Sequence, residues 1–142
     1  MFEDIISGIK DDAGEISPID VMCLNPLTLA YIGDAVYEVF IRTLVIVSQP
    51  NKNVHKLHLM STEYVKAHSQ ADTTHKISPM LTEEELTIVK RGRNSKSGYV
   101  PKNADVMEYR TATGFEALIG YLYLTGNTKR LKEVLNYSIQ EF

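Results

Sequence analysis

The sequence predicts an all-α fold, a bundle of about five to six helices. Three observations carry that prediction. Helix-starting signals recur along the chain: Asn25 before Pro26, Thr82 followed by Glu85, and Asn127 with Thr128. Between them, apolar residues recur with a helical rather than an alternating period. The most strand-like tract, "FIRTLVIV" (40–47), continues a capped helical pattern with no turn signal before it.

The first helix opens at Asn25–Pro26 and extends to about Val47, where "SQPNKN" (48–53) ends it. Residues 54–76 keep a helical period and form a second helix, broken by "ISPM" (77–80). The Thr82–Glu85 capping box starts a short helix through Val89 or Lys90. "RGRNSKSGYVPKN" (91–103), with two glycines and a proline, reads as a loop. A long helix then covers about 104–124 and stops at Gly126. The last helix, capped by Asn127 or Thr128, runs to the C-terminus. No repeat or low-complexity tract divides the chain, so residues 1–142 are expected to form a single domain with an ordered core over about 20–140.

Composition narrows the function. With 44% apolar and 23% charged residues, the chain is globular rather than disordered. A formal charge of −3 gives no global attraction for polyanions, so a nucleic-acid partner needs a local basic patch. The single cysteine, Cys23, excludes an intrachain disulfide and a multi-cysteine zinc site, and is expected as a small buried hydrophobe. The acidic N-terminus is neither a signal nor a transit peptide, and no apolar run reaches the ~18 residues needed to span a bilayer. A cytoplasmic protein with no membrane partner is expected.

Two carboxylates stand out. In "VMCLNPLTLAYIGDAVYE" (21–38), Asp34 alone interrupts the neutral run between Asp20 and Glu38. In "TATGFEALIGYLYLTG" (111–126), Glu116 is the lone charge. Both helices look apolar almost all round, which places them at the centre of the bundle. Each carries interior glycine, and glycine costs about 1 kcal/mol against alanine in a helix, so close backbone approach is implied. Contact between the helices near Gly33 and Gly114 would bring Asp34 and Glu116 together. Two desolvated carboxylates repel unless protonated, paired with a base or neutralised by a cation. Mg²⁺ fits that need, because it commonly binds through one or two carboxylates plus a substrate phosphate. The alternative at this point is that Asp34 pairs with Arg42 or another base, while Glu116 faces a cleft or a dimer interface.

From Lys90 to Asn103 five basic residues occur and no acid. Within "RGRNSKSG", Arg91, Arg93, Asn94 and Lys96 are candidate phosphate contacts, interleaved with small residues that let backbone approach closely. A basic loop beside a carboxylate–metal site suits phosphodiester hydrolysis. His55, His58, His68 and His75 lack the cysteines or acidic cluster that would complete a zinc site and read as solvent-facing.

Three blocks, "LAYIGDAVYE" (29–38), "RGRNSK" (91–96) and "YRTATGFEALIGYLYL" (109–124), resemble the Mini-III ribonucleases, small bacterial relatives of ribonuclease III built from the catalytic domain alone. The likeness runs from about residue 20 to 140. It implies a ribonuclease III-like homodimer with a positively charged valley for double-stranded RNA and an acidic Mg²⁺ site in each protomer. The motif aspartate falls on Asp34 and the glutamate on Glu116, as catalytic and metal-binding residues. Two further acids of ribonuclease III proper correspond to Ala30 and Thr113, a reduction the Mini-III members share. Glu38 and Glu108 are then candidates for the remaining ligands. The chain ends at Phe142, so no C-terminal RNA-binding domain is expected, and binding would fall to the dimer valley and the basic segment. The resemblance also implies maturation of large-subunit (23S) ribosomal RNA precursor ends. Two rivals are a catalytically silent module in ribosome assembly and an all-α nucleotide pyrophosphohydrolase, for which "TEEEL" (82–86) would supply the acids.

Overall fold

All regular structure among the described residues is helical, as the sequence predicts. The structure is a computed structural model that describes residues 9, 14, 16–95 and 100–140. Its helices are α1 (Pro18–Cys23), α2 (Pro26–Ser48), α3 (Val54–Val65), α4 (Ala67–Ile77), α5 (Glu83–Asn94), α6 (Val106–Leu124) and α7 (Thr128–Ile139), with a 3₁₀ turn at Ser78–Met80. The expected caps form. Asn25 Oδ1 accepts from Leu27 N–H, the Thr82–Glu85 box closes in both directions, and Asn127 accepts from Arg130 N–H. Gly126 ends the preceding helix at φ 71.

α6 is the central helix. It packs against α2, α4 and α5, and its residues from Phe115 to Leu122 are buried except Glu116. Phe115 meets Tyr37 of α2 edge to face at 5.0 Å, and Leu29, Ile41, Ile88, Leu118 and Ile119 are among the fully buried residues of the same core. The expectation of a central position fails for α2. Its outward face leaves Tyr31 81%, Val39 52% and Ile46 53% exposed. Apolar composition there marks an uncovered surface rather than a core.

Three boundaries differ from the sequence reading. α1 was not expected; Ser17 caps it by accepting from Asp20 N–H, and Val21 anchors it in the core. Cys23 lies about half a turn further round the same helix and is therefore exposed, not buried. The single helix expected over 54–76 breaks at Lys66, whose backbone is extended (φ −64, ψ 150). Side chains make the break tolerable: Ser69 Oγ donates to the Glu63 carbonyl at 2.6 Å and Gln70 Nε2 to the Val65 carbonyl at 2.9 Å. Lastly, α5 runs on through Asn94, so Arg91, Arg93 and Asn94 lie on a helix and not in a loop. Gly92, taken as a loop signal, is instead a packing residue. A Cβ there would sit 2.7 Å from Gly114 Cα.

Candidate active site

The geometry of the site begins with glycine. A Cβ on Gly33 would lie 1.7 Å from the Glu116 carbonyl oxygen, and one on Gly120 would lie 1.9 Å from the Leu29 carbonyl oxygen. α2 and α6 therefore cross backbone to backbone at Gly33 and Gly120. The predicted partner, Gly114, faces Val89 and Gly92 of α5 instead. The consequence for the carboxylates is as expected. Residue 34 follows the crossing glycine and residue 116 is what that glycine rests on. Both side chains line one cleft of about 410 Å³, with Ala30, Tyr31, Tyr109 and Thr113.

Electrostatics sharpen the picture. Burial pushes the Glu116 carboxyl from 4.5 up to about 8, with Asp34 and Glu38 adding repulsion and the Gln70 amide opposing it. Asp34, though more exposed, is also raised, by desolvation and then by Glu38. Arg42, the base that could have neutralised Asp34, pairs with Glu38 at 3.1 Å. Among the described residues neither Asp34 nor Glu116 has an ion-pair partner. Two converging, uncompensated carboxylates form a hard-oxygen donor pair that suits a divalent cation keeping most of its water. No group of three or more His, Cys, Asp or Glu side chains able to hold a metal occurs among the described residues.

The other candidates are distributed differently. Glu108 is held by His68 Nδ1 at 2.6 Å, and His68 Nε2 lies 3.3 Å from Asp72. Ala30 is buried, and Thr113 donates its hydroxyl to the Tyr109 carbonyl, so these two positions add no acid to the cleft. Arg91 is half-buried and donates to the Met22 and Leu24 carbonyls, tying α5 to the end of α1. Arg93 Nε donates to Asn94 Oδ1 at 3.3 Å on the last turn of α5. Lys96 lies outside the described residues. His55 and His58 are exposed, as expected. Gln70, fully buried on α4, is a polar core residue that the sequence reading missed. Its signal was its place in the inward repeat of 70, 74 and 77, where an apolar residue is the default.

Two of the three acids of "TEEEL", Glu84 and Glu85, are matched by other groups. In a second cleft of about 550 Å³, Glu84 accepts from the Tyr121 hydroxyl and Glu85 takes two bonds from Arg130 at 2.8 Å. No open acidic pair remains there for a pyrophosphohydrolase.

The Ribonuclease III domain family matches residues 27–127, a span that holds both cleft carboxylates. The chain belongs to that family. The Mini-ribonuclease 3 of Thermoanaerobacter sp. (strain X514) is 49% identical over 138 residues, covering 97% of this chain and 96% of that protein. That of Enterococcus faecalis (strain ATCC 700802 / V583) is 51% identical over 125 residues, covering 86% and 93%. A crystal structure of a Fusobacterium nucleatum protein superposes with a TM-score of 0.74 at 35% identity, covering 82% of this chain and 94% of that one. The chain is thus an endoribonuclease of the ribonuclease III type. Ribonuclease III enzymes generally use a divalent metal, act on double-stranded RNA and typically dimerise. Among the described residues no helix is long and apolar enough to cross a membrane.

Burial of Glu116 has a measurable consequence. Its folded pKa lies near 8 against an ordinary 4.5, so between those values the folded state binds more protons than the unfolded chain. Stability must then fall as pH rises through that window. In chelator, the melting temperature should decline from about pH 5 to pH 8, and Glu116→Gln should flatten the decline. Asp34 and His68, both raised, act in the same direction and account for any slope that survives. A flat profile in the parent would mean that Glu116 is solvated.

Proposed function

We propose that this endoribonuclease is a Mg²⁺-dependent enzyme that cuts double-stranded RNA as a cytoplasmic homodimer, with Asp34 and Glu116 as its catalytic, metal-holding pair. The observation that carries this reading is the pair of uncompensated carboxylates lining one cleft at the Gly33–Gly120 crossing. A bound divalent cation supplies charge neutralisation, polarisation of the scissile phosphate and a lowered pKa for attacking water. The two carboxylates fix where that charge sits, and the rigid helix crossing fixes their separation. Water adds to phosphorus, the bond to the 3′ oxygen breaks, and that oxygen takes up a proton. The products are 5′-phosphate and 3′-hydroxyl ends.

Dimerisation draws support from α2. Tyr31 stands 81% exposed at the rim of the cleft, on the same outward face as Val39 and Ile46. An isologous contact over this face would set two clefts side by side for the two strands of a duplex. Val36 and Leu118–Leu122, by contrast, are core and add nothing to this face. The proposed natural substrate, a stem in the 23S ribosomal RNA precursor, rests on the family resemblance.

Incubation with a long RNA duplex and Mg²⁺ tests the function directly. Duplex should be cut and single-stranded RNA of the same sequence left intact, while light scattering at micromolar concentration gives the mass of two chains. Indifference to strand state or to chelator would overturn the reading.

For RNA contact we propose Arg93, Asn94 and Lys96, with Arg91 in a mixed role. Arg93→Ala should raise KM and reduce the salt slope by about one unit per lost phosphate contact. Arg91→Ala should act differently, lowering stability by roughly 1–2 kcal/mol through the lost bonds to Met22 and Leu24. Salt-titrated binding and melting curves on both variants separate the two roles. If Arg93→Ala binds duplex like the parent at every salt concentration, the basic end of α5 is only a solvated helix terminus.

A further inference from the structure

Tyr109 stands near the start of α6, half-buried, and forms part of the wall of the carboxylate cleft. It shares that wall with Thr113 and Glu116, four and seven residues on, the spacing of one helix face. At 1.5 Å per residue, its backbone lies about 10 Å along the helix from that of Glu116. Side chains on a helix lean the same way, toward its N-terminus, so the phenol and the carboxylate stay apart. Tyr109 belongs to the cleft but not to the carboxylate pair. Its hydroxyl is uncommitted. Tyr121, on the same helix, donates to Glu84, and Thr113 spends its hydroxyl on the Tyr109 carbonyl. The Tyr109 hydroxyl has no hydrogen-bond partner among the described residues. Nor is it sealed away, since among those residues Gln70 Oε1 is the one buried side-chain polar atom without a partner. A tyrosine packed in this way ordinarily gives its O–H a partner, so this one is open to a ligand in the cleft.

We propose that Tyr109 is a specificity residue for RNA: its hydroxyl hydrogen-bonds the ribose 2′-hydroxyl of a nucleotide flanking the cut. The inference rests on the reading of this cleft as the active site, with Asp34 and Glu116 as the metal-holding pair. Two kinds of group on an RNA strand could meet a phenol there, a phosphate oxygen or a 2′-hydroxyl. The cleft favours the second. Among the described residues no lysine, arginine or histidine lines it, while Asp34 and Glu116 both do. A bound cation can neutralise one phosphate beside the carboxylates. A second phosphate further along the same wall would meet negative charge with no base to offset it. A 2′-hydroxyl is neutral, and as donor and acceptor at once it matches a phenol. DNA lacks that group, so the contact selects RNA at one position.

Tyr109→Phe keeps the ring and removes only the hydroxyl. No bond within the described chain is lost, so the melting temperature and the Mg²⁺ concentration for half-maximal cleavage should match the parent. Single-turnover cleavage of an RNA duplex with a mapped cut position should slow about three- to tenfold, the usual effect of one neutral hydrogen bond. Single 2′-deoxy substitutions flanking the cut should reveal one position that slows the parent by a similar factor. At that position the two changes should not add, and Tyr109→Phe should cut the deoxy and all-ribose duplexes alike. A variant that cuts the all-ribose duplex like the parent overturns the proposal, and so does a full additional loss at every deoxy position. If the effect of Tyr109→Phe is instead masked by a neutral methylphosphonate beside the cut, the hydroxyl serves a phosphate and the 2′ assignment falls. Asp34→Asn, run alongside, keeps the two levels apart. If it cuts like the parent, the cleft is not the active site; if it is inactive while Tyr109→Phe is unimpaired, only the role of Tyr109 falls.

Discussion

Glu116→Gln should abolish duplex cleavage, by about 1,000-fold or more, and leave the metal-free protein at least as stable as the parent. The first half follows from the role proposed for Glu116. Glutamine keeps the shape of the side chain but offers a cation a neutral oxygen in place of a charged one, and a thousandfold loss is about 4 kcal/mol of transition-state stabilisation. The second half follows from burial. The carboxylate is desolvated, repelled by Asp34 and Glu38, and without an ion-pair partner among the described residues. Removing a strained charge above pH 7 relieves the folded state. Few structural residues behave this way, since truncating a group that supports the fold lowers activity and stability together. Asp34→Asn should show the same signs with a smaller gain in stability, because Asp34 is the more exposed of the two. Single-turnover cleavage, melting in chelator and duplex binding by anisotropy would settle it, with binding largely retained. A Glu116→Gln enzyme that cuts duplex RNA at near-parental rate would sink the assignment.

Much of this was readable in the sequence wherever a local signal has one physical cause. Asparagine and threonine caps, the capping box and Gly126 marked helix ends because free backbone N–H and C=O groups have few alternative partners. The lone acids in apolar runs marked the cleft for a similar reason. Glycine was the ambiguous letter. At 33 it meant close approach, as inferred; at 92 it also meant close approach, although a neighbouring basic, polar stretch made it look like a loop. Which helix meets a glycine is a tertiary fact, so the crossing expected at Gly114 falls instead at Gly120, the other interior glycine of α6. The break at Lys66 carries no proline or glycine. Its enabling bonds come from Ser69 and Gln70, three and four residues later, whose side chains reach back to the carbonyls that the broken helix leaves open. The exposed face of α2 was misjudged because apolar composition alone does not distinguish a core from a surface awaiting a partner.

Gly33→Ala should be the most destabilising glycine-to-alanine change among the described residues. Two effects oppose each other. Alanine is the better helix former by about 1 kcal/mol, and α2 is a long helix in which Gly33 is otherwise a weak point. Against that, the new Cβ would sit 1.7 Å from the Glu116 carbonyl oxygen, 2.7 Å from its carbonyl carbon and 2.8 Å from Gly120 N. These are backbone atoms of the central helix, so no side chain can rotate away to make room. Ordinary contact requires α2 and α6 to part by roughly 1.5 Å or more, which opens gaps around Tyr37, Phe115 and Leu29. The net loss should exceed about 3 kcal/mol, the upper end of ordinary overpacking penalties. Any folded fraction should also cleave poorly, because the same parting moves Asp34 away from Glu116. Gly92→Ala provides the graded comparison. Its Cβ would meet Gly114 Cα at 2.7 Å and the Ala117 methyl at 3.0 Å, tight but less severe, so a smaller loss is expected. Thermal and urea unfolding of the two variants should therefore rank Gly33→Ala well below Gly92→Ala, and both below the parent. If Gly33→Ala instead melts at or above the parent temperature, α2 and α6 do not cross at that glycine, and the shared cleft of Asp34 and Glu116 loses its structural basis.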